Sequence, residues 1–201
     1  MKTIRSHRLF VACTSILIYG QALGAPSPEL VRILNVESTG SACHETPATA
    51  ELADNQSLVF TISALNAISS NSTSPRDSRK NCLVLVDLEY PEEWQYSLQT
   101  AEVKGNVSLA DGIEGKNKIS GHFQGYSVDS ISDLTMAGPL ASDYNEQVDF
   151  QPISWSPCGR KRHLVISFQS RVSKSEESTS FIESDSETKV IINWRKCNED
   201  E

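Results

Sequence analysis

The chain has 201 residues with 26 Asp+Glu against 18 Lys+Arg, a formal net charge of −8. That balance excludes non-specific nucleic-acid binding, which needs basic surface to neutralise phosphates. The length suffices for one domain with a hydrophobic core.

Residues 1–24 read as a secretory signal: Lys2, Arg5 and Arg8 precede the apolar stretch Leu9–Tyr19, and Ala22-Leu23-Gly24 supplies small residues for cleavage. The mature chain then starts near Ala25 as a single domain over 25–201 with a short acidic tail, and the loss of three basic residues takes its charge to about −11. The apolar stretch is shorter than the roughly 20 residues that span a bilayer, and no later segment approaches that length. These features predict a secreted, extracellular protein without a membrane anchor.

From there on, short runs with period-two alternation are separated by polar turns, the pattern of an antiparallel all-β domain. Leu30–Val36 is the first expected strand. Leu58, Phe60, Ile62 and Ala64 then line one face while Ser57, Thr61 and Ser63 line the other. Leu83–Val86 is apolar on both faces, as in a central strand, and alternation resumes at Asp87 and Glu89. Further strands are expected over Gln95–Val103, Lys118–Tyr126 and Val128–Met136, and again around Leu164, Ile166 and Phe168 and around Val190, Ile192 and Trp194. Turn formers fill Ser69–Ser74, Asp111–Gly115 and Gly138–Tyr144, and the Ser/Glu-rich run Ser173–Ser186 reads as a hairpin with solvated edges. Eight or more strands in this length predict a β-sandwich, jelly-roll or immunoglobulin-like in topology.

Cys13 leaves with the signal, so four cysteines remain: Cys43, Cys82, Cys158 and Cys197. An even count in an exported chain with no C-x-x-C pair predicts two disulfides rather than a metal site. Three pairings are open. Cys43–Cys82 with Cys158–Cys197 is preferred because each would tie strands close in sequence. Asn55, Asn71 and Asn106 open N-x-[ST] sequons at expected turns or strand ends and are candidate glycosylation sites.

Catalytic signatures are missing from the sequence. There is no G-x-S-x-G and no H-E-x-x-H, and His44, His122 and His163 are isolated. With every cysteine paired no thiol nucleophile remains. Glu92 with Glu93, or Asp87 with Glu89 about 7 Å apart on one strand face, are the carboxylate pairs that glycoside hydrolysis would need, and in so acidic a chain they read as solvated surface. No cofactor or metal is expected. Trp94, Tyr96, Tyr126, Trp155 and Trp194 read as core or strand-pair aromatics ahead of a sugar-stacking platform. Two polar clusters stand out as partner contacts: Asp77, Arg79, Lys80 and Asn81 before Cys82, and the basic run Arg160-Lys161-Arg162 after Ser156-Pro157-Cys158-Gly159. The second also matches a dibasic processing site.

Asp77-Ser78-Arg79-Lys80-Asn81-Cys82, Tyr90-Pro91 with Tyr96, Trp155-Ser156-Pro157-Cys158-Gly159 and Trp194-Arg195-Lys196-Cys197 together resemble a family of small secreted proteins. That family is found largely in filamentous fungi and is catalogued as a domain of unknown function. The likeness runs from about Gly40 to Cys197. Members often show Gly-Cys-Pro at the first cysteine where this chain has Ala42-Cys43-His44. The resemblance implies a fungal origin, secretion and a disulfide-stabilised β-rich domain, and it carries over no catalytic residue.

The sequence therefore predicts a secreted, non-enzymatic interaction protein. The expected form is an effector or inhibitor of an extracellular host protein such as a protease, with Ser69–Asn81 or Pro157–His163 as the entering loop. A wall or carbohydrate-binding module is the alternative, followed by an acidic-residue hydrolase and a lytic protein.

Overall fold

The computed structural model describes residues 24–174 and 178–197. The predicted signal, apart from Gly24, and the acidic tail beyond Cys197 lie outside the described residues. A 3-10 turn, Pro28–Leu30, leads into twelve strands: β1 (Arg32–Thr39), β2 (Thr49–Asp54), β3 (Ser57–Thr61), β4 (Asn66–Ser69), β5 (Arg79–Glu89), β6 (Trp94–Leu109), β7 (Glu114–Phe123), β8 (Ser130–Ala137), β9 (Leu140–Asp149), β10 (Leu164–Val172), β11 (Ser180–Ser184) and β12 (Glu187–Lys196). They form two antiparallel sheets, as the alternation predicts.

The first sheet runs β1-β5-β10-β7-β8. In the second, β3 and β4 follow one another along the same line, as do β11 and β12: β12 pairs with β3 and with the first half of β6, and β11 with β4 and the second half. β9 takes the other edge of β6 and β2 flanks β3. Counting each broken strand once, the chain goes from β3/β4 across to β5, back to β6, across to β7 and β8, back to β9, across to β10, and returns to β11/β12 beside its start. This nested return is the double Greek key of a jelly roll, so the topology selects that form over the immunoglobulin-like one.

Inward residues of both sheets meet in one core. Cys82, Val84, Val86 and Leu88 of β5 and Leu164, Ile166 and Phe168 of β10 face Leu58 and Phe60 of β3 and Val190 and Ile192 of β12, all fully or nearly fully buried. Phe60 and Phe168 touch across the sheets, ring centroids 5.0 Å apart. Leu83 and Leu85 point outward and stay half-exposed, because no layer covers the outer face of β5.

Three expectations are corrected. Gly138–Tyr144 is not a connection: β9 starts at Leu140 and pairs with β6 along its whole length, its polar residues facing outward and hiding the strand from a hydrophobicity reading. Within Ser173–Ser186, Ser180–Ser184 is an interior strand with Ser180 and Ile182 fully buried, rather than a solvated edge. Asn106 lies inside β6, paired on both sides, not at a turn or strand end.

Polar groups also bridge the sheets. Asn117 of β7 donates to the Tyr144 hydroxyl of β9 (2.9 Å), which donates to the Glu183 carbonyl of β11 (2.9 Å), while Ser170 of β10 donates to Asn117 Oδ1 (2.5 Å). Gly105 lies directly opposite both Tyr144 and Ser184, and a Cβ there would stand 1.9 Å from the Glu183 carbonyl oxygen. The missing side chain is what lets Tyr144 reach across.

Tyr96 is the contrary case. Its ring packs against Phe123, Tyr90 and Trp194 at 5.1, 5.3 and 5.4 Å, yet its buried hydroxyl is without a hydrogen-bond partner among the described residues. An unsatisfied buried hydroxyl costs about 1–3 kcal/mol. Tyr96→Phe should therefore raise the unfolding free energy by about 1 kcal/mol in urea titrations at neutral pH. Burial also raises the pKa of Tyr90, Tyr96 and Tyr144 above 10.0. Their contribution is complete below the unfolded value near pH 10 and is lost as pH rises through the folded values. The same titrations above about pH 10 should show a shallower fall for the variant.

Candidate functional site

The Cys82 turn and the Cys158 corner, singled out by sequence, lie at opposite ends of β5. Arg79 opens the strand and Glu89, which faces the corner's basic loop, closes it, so the two clusters are separated by about 34 Å of extended chain. The structure does not bring them together.

At the first end most of the polar groups are spent internally. Asp77 pairs with Lys80 (3.2 Å), its backbone carbonyl accepts from the Ile68 N–H (2.8 Å) and its carboxylate accepts from the Ser74 N–H (3.3 Å). Asn81 accepts from the Ser41 hydroxyl (3.1 Å) and from the Ala42 N–H (2.9 Å). Cys82 is bonded to Cys43, which closes the Gly40–His44 turn onto the start of β5. Three of the four predicted contact residues thus fix the strand's entry. Arg79 is the exception: it is exposed on the outer face of the sheet, beside Arg171 of β10.

The second end is built from strand ends. Ser156 is fully buried: its hydroxyl accepts from the Tyr96 N–H (3.0 Å) and the Tyr90 hydroxyl (3.3 Å), and its carbonyl accepts from Gln95 Nε2 (2.7 Å). Gln95 in turn accepts from Arg195 Nε (2.7 Å), and the Arg195 guanidinium lies over the Trp155 ring at 4.4 Å. Cys158 is bonded to Cys197, so both disulfides take the preferred pairing. Beyond this brace the chain leaves the sheet: Gly159–Arg162 is exposed and outside any strand, until the His163 carbonyl accepts from the Gln124 N–H (3.0 Å) and β10 begins. Arg160 lines a shallow groove of about 400 Å³ with Gln95, Tyr126, Trp155, Pro157 and Arg195. Sequence reading missed Gln95, whose role depends on partners some 60 and 100 residues away.

The carboxylates singled out by sequence mostly face cations or solvent. Glu89 takes a hydrogen bond from Arg32 and pairs with Lys161 (3.6 Å). The Arg32 hydrogen bond, with both cations helping, holds its carboxyl below the usual value against a smaller desolvation effect. A general acid needs the opposite shift. Asp87 faces His163 at 3.9 Å, and Glu92 and Glu93 sit on an exposed turn. His122 points out of β7 toward Asp129 (3.0 Å). No grouping of His, Cys, Asp and Glu able to hold a metal occurs among the described residues.

The aromatics are mostly committed elsewhere. Tyr96 is core, Trp194 packs on Tyr90 and Tyr96, Trp155 lies beneath Arg195 and Trp94 beneath Lys196 (5.4 Å); only Tyr126, at 46% exposure, is open. Among the sequons, Asn71 is exposed in a turn. Asn55 is half-buried, its side-chain nitrogen donating to the Pro26 carbonyl. Asn106 faces out of the second sheet.

These features define a disulfide-stapled jelly roll whose most prominent exposed chemistry is basic and borne on a braced loop. The chain belongs to the family described as a domain of unknown function (DUF4360), which matches residues 29–197. It is also 27% identical over 182 residues to an uncharacterized secreted protein of Arthroderma benhamiae, a fungus, covering 86% of this chain and 74% of the relative. No helix among the described residues is long and apolar enough to cross a membrane.

Proposed function

We propose that the protein is secreted and acts outside the cell as a non-enzymatic binding protein, specifically as an inhibitor of a protease that cleaves after Lys or Arg. The observation that carries this reading is the loop Pro157–His163. It presents Arg160, Lys161 and Arg162 to solvent between two fixed points, the Cys158–Cys197 bond and the first residue of β10. A loop held in one exposed shape loses little entropy on entering a cleft, which favours tight binding. Were the Arg162–His163 bond cut, both ends would stay in place: Cys158 through its disulfide, and Leu164 through pairing between β5 and β7. Slow release of a cut loop distinguishes an inhibitor from a substrate. The rival loop, Ser69–Asn81, is folded onto itself by Asp77 and Lys80 and carries the exposed sequon at Asn71. The secretion signal and the secreted Arthroderma relative support the location. An effector role toward a host is the biological setting in which such inhibition would matter.

The test is titration of trypsin, used as a probe, with the purified protein and an Arg160→Ala/Lys161→Ala/Arg162→Ala variant. Stoichiometric inhibition that survives gel filtration as a complex and is lost in the variant is the expected result. Rapid cleavage after Arg162 without inhibition would overturn the reading and make the loop a processing site. Neither inhibition nor cleavage would overturn it as well.

A further inference from the structure

The register of the first sheet sets a row of cations side by side on its uncovered outer face. Arg79 of β5 lies directly opposite Arg171 of β10, and Arg171 directly opposite Lys116 of β7; Lys118 follows two residues along on the same face. Like charges directly opposite on neighbouring strands destabilise a sheet. Here three occur in succession in a protein with 26 acidic residues against 18 basic ones. Two acids share the patch. Asp133 of β8 pairs with Lys116 (2.6 Å) and sits opposite Lys118, and Glu114 borders the row. Arg79 and Arg171 are both exposed and make no ion pair among the described residues. A shallow groove of about 220 Å³, lined by Glu114, Lys116, Thr135, Arg171 and Ser173, lies along the row.

We propose that this row is a binding site for a linear acidic polysaccharide bearing a carboxylate on each sugar. The arginine forks suit carboxylates, which they pair through two parallel hydrogen bonds. Adjacent strands lie about 4.8 Å apart, so the row offers a cation at roughly that interval across β5, β10 and β7. An acidic peptide in extended form presents same-face side chains only every ~6.7 Å and matches the row less well. A chain of uronic-acid rings carries one carboxylate on each ring, and a twist between rings that turns successive carboxylates to one side sets them at about the closer interval. The hydroxyls of Thr135 and Ser173 and the amides of Asn81 and Gln169 border the cations and can meet sugar hydroxyls. The site is independent of the basic loop, which lies at the other end of β5. It also differs from a stacking platform for neutral glucan, since it uses charge rather than aromatic faces.

Calorimetric titration with polygalacturonate at low and physiological salt tests this, with neutral galactan, polyglutamate, dextran sulfate and anionic vesicles as comparisons. Polygalacturonate should bind, more weakly as salt rises. Arg79→Gln/Arg171→Gln should weaken it at least tenfold without loss of thermal stability, since the variant removes a like-charge opposition. The loop triple variant should bind as the parent does, so this outcome is separable from that of the protease titration. The proposal is overturned if polygalacturonate does not bind, if the double variant binds it unchanged, or if polyglutamate, dextran sulfate or vesicles bind as tightly at equal charge.

Discussion

Gly105→Ala is expected to lower the unfolding free energy by about 3–4 kcal/mol, a large share of what a domain of this size holds. Gly105 has φ +157°, and an added Cβ would stand 1.9 Å from the Glu183 carbonyl and 2.6 Å from the Tyr144 hydroxyl. Only the second obstacle is a side chain that can move. The first is the backbone of β11, held against β6 by ladder bonds, so relief requires β11 to shift. That shift would break the hydrogen bond from Tyr144 to the Glu183 carbonyl and disturb the contact of Tyr144 with Asn117. Urea titration followed by tryptophan fluorescence measures the loss. Tyr144→Phe added to Gly105→Ala should fail to restore stability, because the carbonyl clash remains.

The second large effect concerns the staples. Both disulfides close loops of the same sequence separation, 39 residues, so chain entropy alone assigns each about 4 kcal/mol and cannot rank them. Burial can. Cys43 and Cys82 are 2% and 0% exposed, whereas Cys158 and Cys197 are half-buried at the loop corner. Mild reduction should therefore open Cys158–Cys197 first, while Cys43–Cys82 stays closed until the domain unfolds. Cys43→Ser/Cys82→Ser should cost about 4 kcal/mol or somewhat more, because a hydroxyl then replaces sulfur in the core. Timed alkylation with peptide mapping reads the order of opening, and denaturant titration of the double variant reads the cost. Equal reduction rates for the two bonds would contradict the ranking.

How legible these features were follows from the range of the interactions behind them. Strands with one apolar face, such as β3, β10 and β12, could be read directly because burial imposes a period of two on the chain. β9 could not. It is a polar strand, with only Tyr144 buried, held by its pairing to β6 rather than by an apolar face. Cysteine count and spacing carried the two bonds because the pairing also follows the short path through the fold. The local bonding of Asp77, Lys80 and Asn81 was half-legible: four polar residues before a core strand call for an explanation, but their partners Ser41 and Ser74 are not marked in the sequence. Least legible was the cation row, since Arg79, Lys116 and Arg171 are far apart in the chain and only the β5-β10-β7 register makes them neighbours.

The two broken strands of the second sheet interrupt at the same level. β3 gives way to β4 across residues 62–65, and β11 to β12 across residues 185–186, where the Ile62 N–H donates to the Ser186 carbonyl. Only β6 among the inner strands of that sheet passes this level unbroken. The sheet therefore carries a crease. Inside an unbroken strand, one inserted residue turns every later side chain to the wrong face. At a crease the register is reset on either side, so added or deleted residues are absorbed locally. Length variation in this sheet should gather at residues 62–65 and 185–186, leaving β6 as the ruler against which both halves keep their alignment.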